Sequence, residues 1–169
     1  MRVLHLSTKD ISGGAARAAF RLHNGLRRVS HESTMFVKWR DSDDPRVVGF
    51  QPPAPPAVPM DLVSRLRRRT RRELIRLGRR YGLLPQPVAN LRDYRATRPK
   101  GFGLFSDDRV PDGDAVLSQL PAADVVNLHW IGGFVDYDSF FSSVPTQTPV
   151  VWTLHDMNPF TGGCHYDDG

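Results

Sequence analysis

Two histidines follow apolar runs and could provide acid–base or hydrogen-bonding chemistry. His155 stands with Asp156 directly after VVWTL, and His129 stands with Trp130 after VVNL. Imidazole titrates close to neutral pH, and the end of a strand is where a parallel sheet presents catalytic groups. Position alone favours a functional role for His155 over a histidine that only bonds a neighbouring loop. For Trp130, stacking on a sugar ring and packing in the core are equally compatible with the sequence.

A glycine pair marks a third such position. Ser12, Gly13 and Gly14 lie between the apolar run RVLHLS and the helix-favouring stretch AARAAFRLHNGL. Backbone N–H groups at the start of a helix can approach a phosphate closely when no side chain intervenes. A tight turn that requires positive φ is an equally good explanation. The spacing G-x-G-x-x-G is absent and the second strand ends in a basic stretch, residues 38–40, so a Rossmann dehydrogenase is not favoured.

The elements that must position these residues follow from hydrophobic periodicity. Short β-branched runs predict strands, and three- and four-residue spacing predicts helices. The strands are predicted at 2–7, 33–39, 47–50, 123–130 and 148–156, and the helices at 15–29 and 134–144. The order β-α-β at both ends predicts an α/β fold with a Rossmann-like, doubly wound parallel sheet in a single domain over 1–169. Residues 82–123 are predicted to be irregular, apart from a candidate strand at 101–106.

Charge is concentrated in one segment. Residues 65–80 hold nine arginines and one glutamate, a net charge of +8, which leaves −3 for the remainder of a chain whose total is +5. The segment follows a connector at 51–59 that contains five prolines. We predict a basic amphipathic helix at 60–81, in which Arg67, Arg68, Arg71 and Arg72 could contact an anionic membrane surface. A solvated helix with its apolar stripe against the sheet is an equally good explanation, and nucleic-acid binding is disfavoured because aromatic residues are not interleaved with the arginines.

Several classes of protein are excluded or disfavoured by composition. No run of eighteen apolar residues occurs, and the N-terminus turns polar after six residues, which is too soon for a signal peptide. Cys164 is the one cysteine, so an internal disulfide is impossible, and a closed metal site with four Cys or His ligands is not expected. We therefore expect a cytoplasmic protein without a bound metal, with a peripheral position on the inner face of the cell membrane if the arginine helix anchors it.

Three blocks of the sequence resemble a known family. The segments MRVLHLSTKDISGGAARAAFRLHNGL, VVNLHWI and TPVVWTLHDMNPFTGGCHY are similar to the N-terminal domain of bacterial GT-B glycosyltransferases of family 4. The resemblance is strongest to enzymes of capsular and exopolysaccharide synthesis, including colanic-acid-type transferases. It covers roughly 55 residues and is loose between positions 40 and 122. It implies a retaining, nucleotide-sugar-dependent hexosyltransferase that uses no metal or other cofactor.

The resemblance also implies roles for individual residues. His155 would lie beside the transferred sugar, with Asp156 orienting it or contacting the acceptor. The loop of Ser12, Gly13 and Gly14 would face the diphosphate of a nucleotide-sugar donor. The acceptor side of the cleft, for a saccharide or lipid-linked acceptor, would be formed by His129, Trp130, Thr161, Gly162 and Gly163. These roles require Gly13 and His155 to lie on the same edge of the sheet.

The same resemblance implies that a second, donor-binding domain completes such an enzyme. We therefore expect residues 1–169 to be the acceptor-side half of a GT-B fold and to be inactive alone. One alternative is a non-catalytic module that binds membranes or polyanions through the arginine helix. Another is an unrelated small-molecule enzyme that uses His155 as a base, which would turn over substrate without a further domain.

Overall fold

The computed structural model describes residues 1–54, 70, 74, 77 and 104–166. Contacts divide the chain into two compact units, one comprising Met1–Pro53 with Gly101–Gly169 and the other Ala54–Lys100. The strands of the first unit are β1 (Arg2–Lys9), β2 (Glu32–Trp39), β3 (Val47–Gly49), β4 (Val125–Leu128) and β5 (Val150–Trp152). Its helices are α1 (Gly14–Arg28), α2 (Gly113–Leu117), α3 (Tyr137–Ser143) and α4 (Asn158–Thr161).

The five strands form one parallel sheet in the order β3-β2-β1-β4-β5. The chain starts in the middle, winds outward through β2 and β3, and then crosses back to β4 and β5. The strand order therefore reverses between β1 and β4, and a crevice forms outside the carboxyl ends at such a point. The predicted α/β class with a Rossmann-like, doubly wound parallel sheet is confirmed.

The two faces of the sheet have different cores. Leu4, Leu6 and Phe36 pack with residues of α2 and α3 in one apolar cluster. Met35 and Val37 point to the other face and pack against α1. Side chains alternate between faces along a strand, so β1 contributes leucines to the first core and Val3, His5 and Ser7 to the α1 face. The α1 face is thus more polar, and this difference determines where the site can form.

Two short helices lie where no helix was predicted. Helix α2 lies in the stretch predicted to be irregular, and α4 lies after the last predicted strand. Each has five residues or fewer, which is too short for hydrophobic periodicity to reveal. The candidate strand at 101–106 is represented, among its described residues, by a single bridge between Phe105 and Cys164.

Most of the arginine segment falls outside the described residues, including Arg67, Arg68, Arg71 and Arg72. The described Thr70, Leu74 and Leu77 have helical backbone. Of the predicted connector at 51–59, the structure describes residues 51–54, and these have no regular secondary structure. In the part of the chain that the structure describes, no helix is both long and apolar enough to cross a bilayer.

A buried carboxylate connects the loops that follow β1 and β2. Asp10 is fully buried and accepts hydrogen bonds from the backbone N–H groups of Ile11 (2.9 Å), Asp41 (3.0 Å) and Ser42 (2.8 Å). Burial alone would raise the pKa of this carboxyl, but the hydrogen bonds from Ser42, Asp41 and Ile11 outweigh it and lower the pKa. Asp10 therefore fixes the start of the loop that leads to Gly13.

We expect Asp10→Asn to lower the free energy of unfolding at pH 7 by about 1.5–3 kcal/mol, because hydrogen bonds to a charged acceptor are lost and an amide N–H₂ faces backbone donors. Urea denaturation measures the change. The exposed Asp43→Asn is the matched control from the same region and should change stability by less than about 0.5 kcal/mol. An Asp10→Asn variant as stable as wild type would show that the carboxylate does not hold these loops.

Candidate functional site

The loops that follow β1, β4 and β5 meet at one pocket. It has a volume of about 570 Å³ and lies at the carboxyl edge of the sheet, at the point where the strand order reverses. Gly13 and Gly14 line one side, and Trp130, His155 and Asp156 line another. The glycine pair and His155 were expected to lie on the same edge of the sheet, and the structure places them there.

The glycine side of the pocket is the start of α1. Gly13 is its N-cap residue with φ 101° and ψ 169°, a region of backbone space that is essentially restricted to glycine. No side chain caps this end, and the first turn contains no acidic residue. The first N–H groups of a helix lack intrahelical partners and carry partial positive charge. With Ser12 and Lys9 on the same wall, this side of the pocket can bind an anion.

Ser7 is a pocket residue that sequence reasoning missed. Its side chain lies on the α1 face of β1, is 1% exposed and lines the pocket. Among the described residues its hydroxyl forms no hydrogen bond, although buried hydroxyls are normally paired. Ser7 thus offers a donor and an acceptor at the floor of the pocket, next to the helix start. Its position at the end of an apolar strand was the available signal.

His155 is the outermost of three histidines in a row. Its Nε2 lies 3.0 Å from Nδ1 of His129, and Nε2 of His129 lies 3.0 Å from Nδ1 of His5. Burial, with a smaller contribution from neighbouring histidines, lowers the pKa of His5 to about 4 and that of His129 to about 3. Burial also lowers the pKa of His155, against the opposing effect of Asp156. All three rings are therefore neutral at pH 7.

His129 was expected on the acceptor side of the cleft, and the structure places it one layer behind. Its backbone N–H bonds the carbonyl of Leu6 at 2.9 Å, which continues the pairing of β4 with β1. Its ring consequently turns to the α1 face and is 2% exposed, behind His155. Trp130, the next residue, does line the pocket, where its ring is only partly buried.

Asp156 bonds a different histidine from the one expected. Its Oδ2 lies 2.5 Å from Nδ1 of His165, and its Oδ1 accepts the N–H of Asn158 at 3.0 Å. Nε2 of His165 lies 2.8 Å from the hydroxyl of Ser106. Since Nδ1 is closest to the carboxylate, we assign its hydrogen to the bond with Asp156, and Nε2 then accepts from Ser106.

The connectivity Ser106–His165–Asp156 is that of a hydrolase triad, but its environment is not. Ser106 is 6% exposed and does not line the pocket. A Cβ added at Gly132 would lie 2.7 Å from its hydroxyl oxygen, so the serine is packed against backbone. A nucleophile must reach a substrate carbonyl, and this hydroxyl has no approach to one. The chain of three residues instead ties the segment 156–165 to the loop at 106.

Thr161, Gly162 and Gly163 were also expected on the acceptor side, and they do not line the pocket. They form the turn that ends α4. Gly162 is left-handed at φ 71°, and Gly163 has φ 125° with Phe105 so close that an added Cβ would lie 2.3 Å from its ring. The hydroxyl of Thr161 lies within hydrogen-bond distance of the backbone carbonyls of Met157, at the start of α4, and of Cys164, in the turn. The turn reverses the chain, so that His165 and Tyr166 return to the pocket wall.

The described residues contain no group of three or more His, Cys, Asp or Glu side chains arranged to hold a metal ion. The histidine row illustrates the reason. The ring nitrogens of His129 both face other imidazoles at 3.0 Å, so neither is available as a ligand.

We expect the free energy of unfolding to fall as the pH is lowered from 7 to 4.5. In the unfolded chain His5 and His129 bind protons below their ordinary pKa of 6.5, whereas in the folded chain they stay neutral until about pH 4 and 3. Above pH 6.5 both states of the chain hold these histidines neutral, and the free energy of unfolding is unaffected by them. Below pH 6.5 only the unfolded chain binds the protons, so the free energy of unfolding falls. Each contributes a slope of up to about 1.4 kcal/mol per pH unit.

Urea denaturation at several pH values measures this slope. His129→Phe should make it shallower, while the partly exposed His31→Asn should leave it unchanged. An unchanged slope in His129→Phe would contradict a neutral, buried His129.

A scan against protein-family models, a search of curated proteins and a search of solved structures gave no match to the chain. The function has to be inferred from the pocket, its charge and its hydrogen-bonding groups.

Proposed function

We propose that the chain is the acceptor-side half of a retaining, nucleotide-sugar-dependent glycosyltransferase of polysaccharide synthesis. One observation carries the proposal: the uncapped start of α1 and the ring of His155 face the same pocket of about 570 Å³. A nucleotide sugar has two parts that require opposite recognition, an anionic diphosphate and a neutral, hydroxyl-rich ring. The pocket offers groups suited to each.

The diphosphate would lie at the glycine side. Free N–H groups at the start of α1, the ammonium group of Lys9 and the hydroxyls of Ser7 and Ser12 are the donors there. A Cβ added at Gly14 would meet no atom within 4 Å, so the backbone is open to a ligand at this point. A phosphate oxygen can therefore approach the helix start directly.

The sugar would lie at the histidine side. His155 is partly exposed there, and its Nδ1 is the ring nitrogen that His129 does not occupy. Trp130 and the exposed Tyr166 line the same pocket and provide aromatic faces for a sugar ring. In the transfer step the acceptor hydroxyl oxygen would form the new bond to the anomeric carbon as the bond to the diphosphate breaks, and the hydroxyl proton would pass to the departing diphosphate. A hydrogen bond from the sugar to His155 would hold the ring, and the donors at the helix start would stabilise the charge on the leaving group.

Pyrophosphate and a panel of nucleotide sugars test this assignment. Titrated into the ¹⁵N-labelled chain, pyrophosphate should shift the amide resonances of Gly13 and Gly14 with weak, millimolar affinity. Gly14→Ala adds a methyl group to the pocket without straining the fold and should weaken binding at least about tenfold, or 1.4 kcal/mol.

Gly25→Ala is the matched control, because Gly25 lies in the same helix with equally open surroundings but away from the pocket. Its affinity for pyrophosphate should equal that of wild type. Absence of any shift at Gly13 and Gly14 would reject the phosphate site. If the complete product of the gene transfers no sugar from any nucleotide sugar to lipid-linked acceptors, the transferase proposal fails.

A second proposal concerns the membrane, and two exposed leucines favour it. Leu74 and Leu77 lie in helical backbone three residues apart, hence on neighbouring positions of one face, and are 67% and 46% exposed. The sequence around them carries the nine arginines of residues 65–80. Apolar side chains on a strongly basic helix are typical of a segment that lies on an anionic bilayer. A lipid-linked acceptor would then be reached from the membrane surface.

Sedimentation with vesicles that contain phosphatidylserine measures this binding. Replacing Arg67, Arg68, Arg71 and Arg72 by Ser should lower the partition coefficient at least about a hundredfold, since each basic residue contributes about 1 kcal/mol. Leu74→Ser with Leu77→Ser should also weaken binding. Val29→Ser, a change at a similarly exposed position directly after α1, is the control and should pellet like wild type. Equal pelleting of all variants would reject the arginine segment as an anchor.

A further inference from the structure

The histidine row extends from the pocket into the core. His155 is partly exposed, His129 is 2% exposed and His5 is fully buried. The rings of His129 and His155 are stacked with centroids 5.3 Å apart, and those of His129 and His5 are 5.2 Å apart. Two nitrogen–nitrogen contacts of 3.0 Å connect the three rings. Neither His5 nor His129 takes part in the proposed function.

Each contact requires one nitrogen that carries hydrogen and one that does not. A neutral imidazole has a single N–H. If His129 carries hydrogen on Nε2, then His5 must accept on Nδ1, and His155 must donate from Nε2. If His129 carries hydrogen on Nδ1, all three rings take the opposite tautomer. The row therefore has two arrangements, and the three rings can change only together.

Charged rings would break this rule, because an imidazolium donates from both nitrogens. Burial prevents that at neutral pH for the two inner rings, whose pKa values lie near 4 and 3. At neutral pH the row is therefore a chain of hydrogen bonds between neutral rings.

Two physical effects favour the arrangement with hydrogen on Nε2. This tautomer is the more populated form of neutral histidine in water, and the preference adds up over three rings that change together. The other nitrogen of His155 then presents a lone pair to a pocket that also contains Lys9 and the positive start of α1. Asp156 acts in the opposite direction, but its carboxylate already accepts from His165 and Asn158. At the inner end Nε2 of His5 has no partner among the described residues, which is unfavourable in both arrangements.

We propose that His5 and His129 are positioning residues that fix the tautomer of His155, so that its Nδ1 lone pair faces the pocket and accepts a hydrogen bond from a ligand hydroxyl. The two sides of the pocket then differ in their hydrogen-bonding groups. The side at the start of α1 provides donors, and the side at His155 provides an uncharged acceptor. That the hydroxyl belongs to a sugar rests on the proposed function, whereas the tautomer does not.

Long-range ¹H–¹⁵N correlation spectra of the labelled chain at pH 7.5, without ligand, identify the tautomer of each ring. Wild type should show hydrogen on Nε2 and a bare Nδ1 at His5, His129 and His155. Hydrogen on Nδ1 of His155 would overturn the proposal. This measurement requires no variant, so it determines the tautomer of His155 even if a substitution in the row prevents folding.

His129→Phe tests whether the row sets the tautomer. Without His129 the ring of His155 retains only its own weak preference, so a minor population with hydrogen on Nδ1 should appear. His5→Phe should give a smaller minor population, since one preference of three is lost. His23→Phe is the control, because His23 is equally buried on the same face and its ring lies edge-on to His5, but it hydrogen-bonds Ser33 and not a ring of the row. A single tautomer at His155 in His129→Phe, as in wild type, would show that His129 does not position it.

The proposal of a phosphate site and the proposal of a fixed tautomer at His155 are tested independently of each other. Pyrophosphate shifts at Gly13 and Gly14 test the phosphate site and do not depend on any histidine. The tautomer spectra are recorded without ligand and do not depend on the phosphate site.

Discussion

The structure depends on the pairing of β1 with two parallel neighbours. Leu6 lies opposite Phe36 of β2 on one side and opposite Leu128 of β4 on the other. This register buries β1 on both faces and places the loops after β1 and β4 side by side at the carboxyl edge. The backbone N–H of Thr8 bonds the carbonyl of Trp130 at 2.8 Å, so the two loops are joined where they leave the sheet. The position of the pocket follows from that pairing.

The same strand carries polar side chains into the core on its α1 face, and buried polar groups require partners. His5 finds one in His129, and His23 of α1 finds one in Ser33 at 2.7 Å. The residue directly after β5 follows the same pattern, because the hydroxyl of Thr153 donates to the amide oxygen of Asn127 in β4. Hydrogen bonds across adjacent strands therefore organise this face, whereas shape-matched apolar packing organises the other. A side chain at the edge of the polar face can be connected to the core by hydrogen bonds, as His155 is through His129.

Hydrophobic periodicity was sufficient to predict the strands, α1, α3 and the shared edge of Gly13 and His155, because these follow from local pattern and parallel topology. It could not reveal the partners of His155 and Asp156. The contact of His5 with His129 spans 124 positions, and the choice of His165 by Asp156 depends on the turn at Gly162 and Gly163. A histidine inside the apolar run RVLHLS was the one local sign that a buried polar partner exists. The family resemblance implied that Asp156 orients His155 or contacts the acceptor, and in the structure its carboxylate bonds His165.

That choice of partner decides the character of the site. One carboxylate stands near two histidines, and it bonds His165, which is 1% exposed, rather than the partly exposed His155. A carboxylate on Nε2 of His155 would raise the pKa of that ring and favour an imidazolium in the pocket. Nε2 of His155 instead contacts the neutral imidazole of His129, so His155 stays uncharged. The positive charge of the pocket therefore comes from Lys9 and the start of α1. Such a division suits a ligand with an anionic end and a neutral end better than a substrate that requires a strong base.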